Sequence, residues 1–258
     1  MPQTKIVFFD IDGTLIDMQA KKITPKMLET LHRLQDRGIK ICIATGRSPM
    51  VLPKIDGVAF DAYLTFNGSL CYDRKGVIFS NPIPHKDVVR FIQNAAALGR
   101  PVCVSTRDRL AANGADTDLT DYFFIANEPV PVADDFDAVC AEDIYQLMLG
   151  CRPKDYPALL DGAQGAKITA WWDRAVDIIP AGGGKGIGIE KMLAYYGLDK
   201  GEALAFGDGN NDREMLQAVG TGVAMENGSP ELKAIADEIC GPVYEDGIYH
   251  YCADKGLI

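Results

Sequence analysis

Residues 5–14 read KIVFFDIDGT, and this stretch decides the fold. A short apolar run closed by an acid is typical of a strand buried on both faces, as the strands of a parallel sheet are. Asp10 and Asp12 stand two positions apart at its end, so in extended backbone their side chains lie on the same side. We therefore predict a first strand over 5–10 that presents two carboxylates at its carboxyl end.

The segments that follow alternate between helix and strand. Thr24, Pro25 and Gly38 are helix start and stop signals, and a second apolar run covers 39–44. A shorter helix over 50–55 and a strand over 62–65 continue the pattern. This alternation predicts an α/β fold whose core is a doubly wound parallel sheet, that is, Rossmann-like.

The alternation is interrupted between about residues 82 and 182. Helices are predicted here over 87–98 and 156–161, and short strands over 101–105, 144–149, 167–172 and 175–179, which together indicate an inserted α+β domain. The α/β pattern then resumes, with helices over 185–196, 211–219, 230–236 and 247–255 and strands over 203–206 and 221–225. We predict a core over 1–81 plus 183–258, and an insert over 82–182.

Four segments combine polar groups with a strand end or a helix start: 9–14 (FDIDGT), 44–47 (ATGR), 184–186 (GKG) and 207–212 (GDGNND). Ligands of open α/β sheets bind beyond the carboxyl ends of the strands, so these segments are expected to meet there. Clustered carboxylates are tolerated when a hard cation such as Mg²⁺ lies among them. Glycine backbone, a hydroxyl and an ammonium group at a helix start suit a phosphate.

Each segment also has a purely structural explanation. The acids of 10–12 can cap a turn, the 45–47 segment can be a simple link, and a lysine between glycines is often a surface residue. The 207–212 segment is similar to a calcium loop, but the twelfth position counted from Asp208 is Val219, where an EF-hand needs glutamate. The joint occurrence of all four segments in this order favours one shared site.

These motifs resemble those of the haloacid dehalogenase-like hydrolase superfamily. More narrowly, they are similar to its Cof-like sugar-phosphate phosphatase branch, which carries a large cap between its second and third motifs. The first motif matches 10–14, the second matches Thr45, the third matches Lys185, and the fourth matches 207–212. Accessory features of the branch match 67–68 (NG), 223–227 (VAMEN) and 245–248 (EDGI). The sequence departs from the branch at the glycine triplet before Lys185 and at Gly228, where alanine is usual.

The resemblance implies a role for each matching residue. Asp10 is expected to form an aspartyl-phosphate, and Asp12 to act as acid and then base. The expected Mg²⁺ ligands are Asp10, the backbone carbonyl of Asp12, and Asp208, with Asp212 close by. The residues expected to hold the phosphoryl oxygens are Ile11 (through its backbone), Thr45, Gly46, Lys185 and Asn211. The implied reaction is Mg²⁺-dependent hydrolysis of a small phosphorylated metabolite, with a sugar phosphate favoured.

The insert offers candidates for contact with the leaving group, namely Arg107, Arg109, Trp171, Trp172 and Arg174. Packing explains strand-borne tryptophans better, and solvation explains the arginines at a turn, so none is assigned to the site.

Two other functions stay open on the sequence. A hexose phosphomutase shares this core and cap, but it must keep water from the aspartyl-phosphate and rebind a bisphosphate. A phospho-accepting regulatory protein also phosphorylates an aspartate at a strand end. Such receiver domains are shorter and lack both the insert and the second acid of the first motif.

Composition limits the partners of the chain. It has 258 residues, with 26 Lys and Arg against 36 Asp and Glu, for a net charge of −10. This charge disfavours non-specific binding of nucleic acid or an anionic membrane, and no obligate protein partner is evident. The seven cysteines show no metal-binding spacing and suit a reducing cytoplasm. Residues 1–5 (MPQTK) lead directly into the first strand, so we expect a cytoplasmic protein without a signal peptide.

Overall fold

The computed structural model describes residues 3–125, 128–170 and 172–258. The chain divides into two compact units. The first comprises Met1–Arg47, Pro53–Ser80 and Gly184–Ile258, and the second comprises Ser48–Leu52 and Asn81–Gly183.

The first unit begins with β1 (Ile6–Phe9), α1 (Pro25–Asp36), β2 (Lys40–Ala44) and β3 (Ala62–Thr65), which lie close to the predicted elements. Strands β4 (Leu70–Asp73) and β5 (Gly76–Ser80) follow them. Thr24 caps α1, because its hydroxyl oxygen accepts a hydrogen bond from the Met27 N–H at 3.1 Å. The helix predicted over 50–55 is wrong: only a 3₁₀ turn forms, over Pro49–Val51. Pro53 explains this, since a residue that precedes proline is driven out of helical backbone, and Leu52 is extended.

The second unit contains the helices α2 (His85–Ala97), α3 (Thr117–Ile125), α4 (Phe136–Val139) and α5 (Tyr156–Leu160). Its strands are β6 (Cys103–Ser105), β7 (Leu110–Ala112), β8 (Gln146–Gly150), β9 (Ala166–Thr169) and β10 (Ala175–Pro180). They form one sheet in the order β7-β6-β8-β10-β9, and every neighbouring pair is antiparallel. The predicted α+β character of this part of the chain is therefore correct.

A charged cluster joins α3 to the rest of the second unit. The buried carboxylate of Asp118 accepts hydrogen bonds from Arg100 at 3.1 Å, Arg152 at 3.1 Å and Arg174 at 2.8 Å. These guanidinium groups, that of Arg152 foremost, lower the pKa of Asp118 to about 2. The cluster stabilises the ionised carboxylate, and three arginines are thereby committed to the structure of this unit.

The first unit resumes with α6 (Lys185–Tyr196), β11 (Ala203–Gly207), α7 (Arg213–Ala218), β12 (Thr221–Met225), α8 (Pro230–Lys233), β13 (Glu238–Cys240) and α9 (Gly247–Asp254). Its sheet has the order β13-β12-β11-β1-β2-β3-β4-β5. The strands from β13 to β3 are parallel, and β4 and β5 form an antiparallel extension. This arrangement confirms the predicted parallel-sheet core. Strand β13 was not predicted from the sequence.

Two further sequence expectations concern the chain as a whole. All seven cysteines are buried free thiols. Within the described ranges, the helices are too short or too polar for any of them to traverse a lipid bilayer.

Candidate active site

The strand order brings the predicted motifs together at the carboxyl end of the central strands. Strand β1 pairs in parallel with β2 on one side and with β11 on the other. Asp10 follows β1, Thr45 follows β2, and Asp208 follows β11. Because neighbouring parallel strands have their carboxyl ends on the same side of a sheet, these three residues lie next to one another at that end.

Lys185 links this edge to the start of α6. Its side chain is buried, and its Nζ donates to Asp10 Oδ1 at 2.6 Å and to Asp212 Oδ1 at 2.5 Å. Burial alone would lower the pKa of Lys185, but the carboxylates of Asp10 and Asp212 outweigh it and hold the pKa above its ordinary value. The lysine is therefore a permanent cation between two acids.

Three carboxylates surround this cation. Oxygens of Asp10, Asp208 and Asp212 lie within 4.8 Å of one another. Burial raises the pKa of Asp10 well above its usual value against the opposing charge of Lys185, and the other two acids add to the rise. Burial and then the charge of Asp212 raise the pKa of Asp208 to about 7. One lysine does not balance three acids, two of them buried and Asp208 half-buried, so the cluster fits a divalent cation with oxygen ligands.

Asp212 also shapes the loop that carries Asp208. Its Oδ2 accepts hydrogen bonds from the N–H groups of Asp208 at 3.0 Å and Gly209 at 2.9 Å. With Oδ1 on Lys185, both oxygens of Asp212 already accept hydrogen bonds from the protein. Asp212 thus braces the loop and the lysine.

The first motif is closely packed against Asp208. The Thr14 hydroxyl donates to Asp208 Oδ1 at 2.8 Å. Gly13 has a φ of 87°, and a side chain there would overlap the Asp208 carboxylate. The Ile11 carbonyl accepts the N–H groups of Leu15 at 3.0 Å and Ile16 at 2.9 Å, which closes the turn after Asp10. Glycine at position 13 is therefore required by both backbone and space.

Asp12 lies outside the cluster of three carboxylates. Arg47 binds it through both oxygens, with Nε 2.7 Å from Oδ2 and Nη2 2.6 Å from Oδ1. Sequence reasoning missed Arg47 as a site residue, because of this segment only Thr45 and Gly46 were assigned to the site. Its position directly after Thr45 and Gly46, two residues that were assigned to the site, could have indicated it.

The remaining predicted phosphate ligands gather around Asn67. Thr45 is buried, and its carbonyl accepts the Asn67 N–H at 3.0 Å. A side chain at Gly46 would lie 3.1 Å from Asn67 Nδ2, and Asn211 Nδ2 donates to Asn67 Oδ1 at 3.2 Å. The structure therefore places Thr45, Gly46 and Asn211 together and adds Asn67, which the sequence marked only as an accessory position.

The candidate residues of the insert make contacts within the second unit. Arg109 pairs with Asp135, with Nη1 2.7 Å from Oδ2, and Arg107 lies 3.8 Å from Asp108. Arg174 binds Asp118 and lies over the ring of Trp172, 4.9 Å from its centre. Trp171 lies outside the described residues.

Known proteins share this sequence pattern and this fold. The family of haloacid dehalogenase-like hydrolases matches residues 7–252. YkrA of Bacillus subtilis (strain 168), whose name assigns it provisionally to the phosphatases, is 35% identical over 257 residues, which cover 99% of each chain. From the same organism, YitU, named a 5-amino-6-(5-phospho-D-ribitylamino)uracil phosphatase, is 29% identical over 95% of each chain.

Solved structures agree with this relationship. BT4131, described as a sugar phosphatase of HAD subclass IIB, superposes with a TM-score of 0.88 at 28% identity. The match covers 99% of this chain and 100% of that one. The family match over nearly the whole chain, together with the motif geometry, shows that this chain belongs to the haloacid dehalogenase-like hydrolases, among their Cof-like phosphatases.

Proposed function

We propose that this chain is a Mg²⁺-dependent phosphatase that hydrolyses a small phosphorylated metabolite, with sugar phosphates as its substrate class. The observation that carries the proposal is the buried Lys185 ammonium group, 2.6 Å from Asp10 Oδ1 and 2.5 Å from Asp212 Oδ1. Burial raises the pKa of Asp10, and the fixed cation beside it opposes that rise and so favours the ionised form, which is the form able to attack phosphorus. The likeness to BT4131 supports sugar phosphates.

The reaction would proceed in two balanced steps. An oxygen of Asp10 attacks phosphorus, the bond between phosphorus and the ester oxygen breaks, and Asp12 gives its proton to that oxygen. A water then attacks the aspartyl-phosphate while the Asp12 carboxylate takes its proton. The bond between phosphorus and Asp10 breaks, and inorganic phosphate leaves.

The other residues would hold the reacting groups. Thr45, Gly46, Lys185, Asn211 and the backbone of Ile11 are the proposed ligands of the phosphoryl oxygens. The proposed Mg²⁺ ligands are Asp10, Asp208 and the backbone carbonyl of Asp12, with Asp212 beside them. When bound, the ion neutralises charge between the carboxylates and the phosphate.

We also propose that the insert over 82–182 is a cap that distinguishes leaving groups. The proposed catalytic residues and the proposed ligands of the metal and the phosphoryl group all belong to the first unit, which leaves the insert free for contact with the leaving group. The seven buried free thiols support a reducing compartment such as the cytoplasm.

Phosphate release measured over sugar phosphates, pyridoxal and flavin phosphates and p-nitrophenyl phosphate tests the proposal. We expect activity with Mg²⁺, loss of activity in EDTA, and recovery when Mg²⁺ is restored. Calcium should restore little, because its looser coordination misplaces the nucleophile. Full activity in EDTA would contradict the metal assignment, and activity that needs a sugar bisphosphate would instead identify a phosphomutase.

A matched pair of variants tests the nucleophile. Asp10→Asn should abolish turnover and covalent labelling by phosphate. Asp36→Asn makes the same exchange at an exposed position at the end of α1 and should leave both unchanged. Substantial turnover by Asp10→Asn would mean that another residue attacks phosphorus.

A further inference from the structure

The turn over Phe66–Gly68, directly after β3, has unusual backbone. Phe66 and Asn67 both lie in the left-handed region, with φ of 50° and 51°. Non-glycine residues seldom adopt it, and two in succession are held only by their surroundings. The Asn67 side chain is nevertheless buried, with 5% of the residue exposed.

Backbone contacts fix this turn between two predicted phosphate-binding segments. The Phe66 N–H donates to the Arg47 carbonyl and the Asn67 N–H to the Thr45 carbonyl, both at 3.0 Å. Gly68 approaches the start of α6 so closely that a side chain there would overlap the Gly184 carbonyl oxygen. Such a side chain would also lie 3.2 Å from the Lys185 Cα. Asn67 therefore stands where the threonine and lysine motifs meet.

The amide of Asn67 completes this arrangement. Its Oδ1 accepts from Asn211 Nδ2 at 3.2 Å, and its Nδ2 lies against Gly46 in space that a side chain at Gly46 would enter. An asparagine amide nitrogen carries two hydrogens, so Asn211 retains one for a second acceptor. Asn67 thus fixes the direction in which Asn211 can donate.

We propose that Asn67 is a positioning residue of the phosphoryl site, which orients the Asn211 amide towards the transferring phosphoryl group. This inference rests on the proposed function, in which Asn211 and Gly46 are phosphoryl ligands. Asn67 acts through Asn211, so its effect should require Asn211.

Turnover of p-nitrophenyl phosphate and inhibition by orthovanadate, both with Mg²⁺, measure this role. Asn67→Gly preserves the left-handed backbone and removes the amide. We expect kcat/KM to fall and the vanadate inhibition constant to rise by about three- to tenfold, as for one hydrogen bond. The double variant Asn67→Gly/Asn211→Ala should be no worse than Asn211→Ala alone.

Two further variants separate positioning from folding. Lys21→Gly makes the same backbone change at an exposed residue with φ of 51° and should leave both constants unchanged. Asn67→Asp keeps an acceptor for Asn211 and tolerates the left-handed region, but it adds a negative charge beside Gly46. It should weaken vanadate binding more than Asn67→Gly does, and more so at low salt.

The outcomes are distinguishable. If the wild-type chain hydrolyses phosphate esters and Asn67→Gly binds vanadate equally well, the positioning role is wrong. Losses that multiply in the double variant would also overturn it, because Asn67 would then act independently of Asn211. A wild-type chain inactive on every phosphate ester would overturn the proposed function itself, and the inference with it.

Discussion

At the scale of single residues, Arg47 occupies both oxygens of the carboxylate that is proposed to move protons. The contacts of Nε and Nη2 with Asp12, at 2.7 and 2.6 Å, form a planar fork that only arginine can supply. This fork holds the Asp12 carboxylate in one orientation. The proton transfers assigned to Asp12 should therefore depend on Arg47.

Arg47→Ala should affect substrates according to their leaving group. Alkyl phosphates need a proton on the departing oxygen, so their kcat should fall about 10- to 100-fold. This is at or below the lower end of the roughly 10²- to 10⁴-fold that a general acid contributes, because Asp12 itself is retained. p-Nitrophenyl phosphate needs little protonation and should lose less. Arg47→Lys keeps the charge without the fork and should be intermediate. Equal losses for both substrates would argue against a role through Asp12.

The pKa of Asp208 predicts a link between pH, metal and stability. Burial and then Asp212 raise that pKa to about 7, whereas an unfolded chain has it near 4. Between these values the folded chain retains a proton that the unfolded chain has released. The Tm of metal-free protein should therefore fall as pH rises from about 4 to about 7.

A divalent cation needs the ionised carboxylate, so Mg²⁺ should raise Tm more at pH 8 than at pH 5. Thermal unfolding in EDTA and in Mg²⁺ measures both effects. Asp208→Asn should reduce the difference in Tm between the two pH values and leave the part that comes from the raised pKa of Asp10. A metal-free Tm that is the same at pH 5 and pH 8 would contradict the raised pKa.

The acids and the lysine of the site were predictable because each belongs to a motif at a strand end or helix start. Arg47 and Asn67 were not assigned, because their roles depend on partners distant in sequence. Asn67 is 144 residues from Asn211, and Arg47 is 35 residues from Asp12. A spacing pattern within one segment carries no information about such contacts.

At the scale of elements, α6 lies unusually close to β3. Gly188 makes this possible: a side chain there would lie 2.5 Å from Leu64 Cδ1 and 3.0 Å from the Gly68 Cα. The approach brings the start of α6, and Lys185 with it, to the sheet edge. Small residues in this helix are therefore part of how the site is built.

Gly188→Ala should destabilise the protein by about 1–3 kcal/mol, as overpacking of a core does. In an unconstrained helix the same change would stabilise the protein by about 0.5–1 kcal/mol. The sign of the change in the free energy of unfolding therefore shows whether position 188 is tightly packed or unconstrained. Glu190→Ala, exposed on the same helix, should stay within about 0.5 kcal/mol of wild type. Urea unfolding measures both, and a stabilised Gly188→Ala would show that α6 can move.

The elements that the sequence predicted best have strong local signals. Helix α1 has both a cap and a stop, and β1 and β2 are apolar runs. Strand β13 was missed because Glu238 and its neighbours lack an apolar run, and pairing with β12 makes it a strand. The helix expected from 211 begins at Arg213, since Asn210–Asp212 forms a 3₁₀ turn around the Asp212 hydrogen bonds.

At the scale of the whole molecule, the two ends of the insert lie close together. A side chain at Gly182 would lie 3.9 Å from Asn81 Nδ2. The two ends can therefore be joined by a short linker without moving either one. Ser48–Leu52 belongs to the same unit as the insert, so removal of the insert would also remove the residues that this segment contacts.

Replacing residues 83–181 with such a linker should leave a folded core of lower Tm. It should still hydrolyse p-nitrophenyl phosphate, because Asp10, Thr45, Lys185 and Asp208 all belong to the first unit. It should lose most of its preference among sugar phosphates, since the proposed cap is gone. A truncated core that keeps the full-length ranking of substrates would show that the insert does not distinguish them.

The partners of Lys185 also have a consequence for protein synthesis. Asp10 lies 175 residues before the lysine, and Asp212 lies 27 residues after it. At roughly 5–20 residues per second, a ribosome adds Lys185 about 9–35 s after Asp10. A product released early by a stalled ribosome thus carries Asp10, the proposed nucleophile, without the lysine that pairs with it, and we expect such fragments to be inactive as phosphatases.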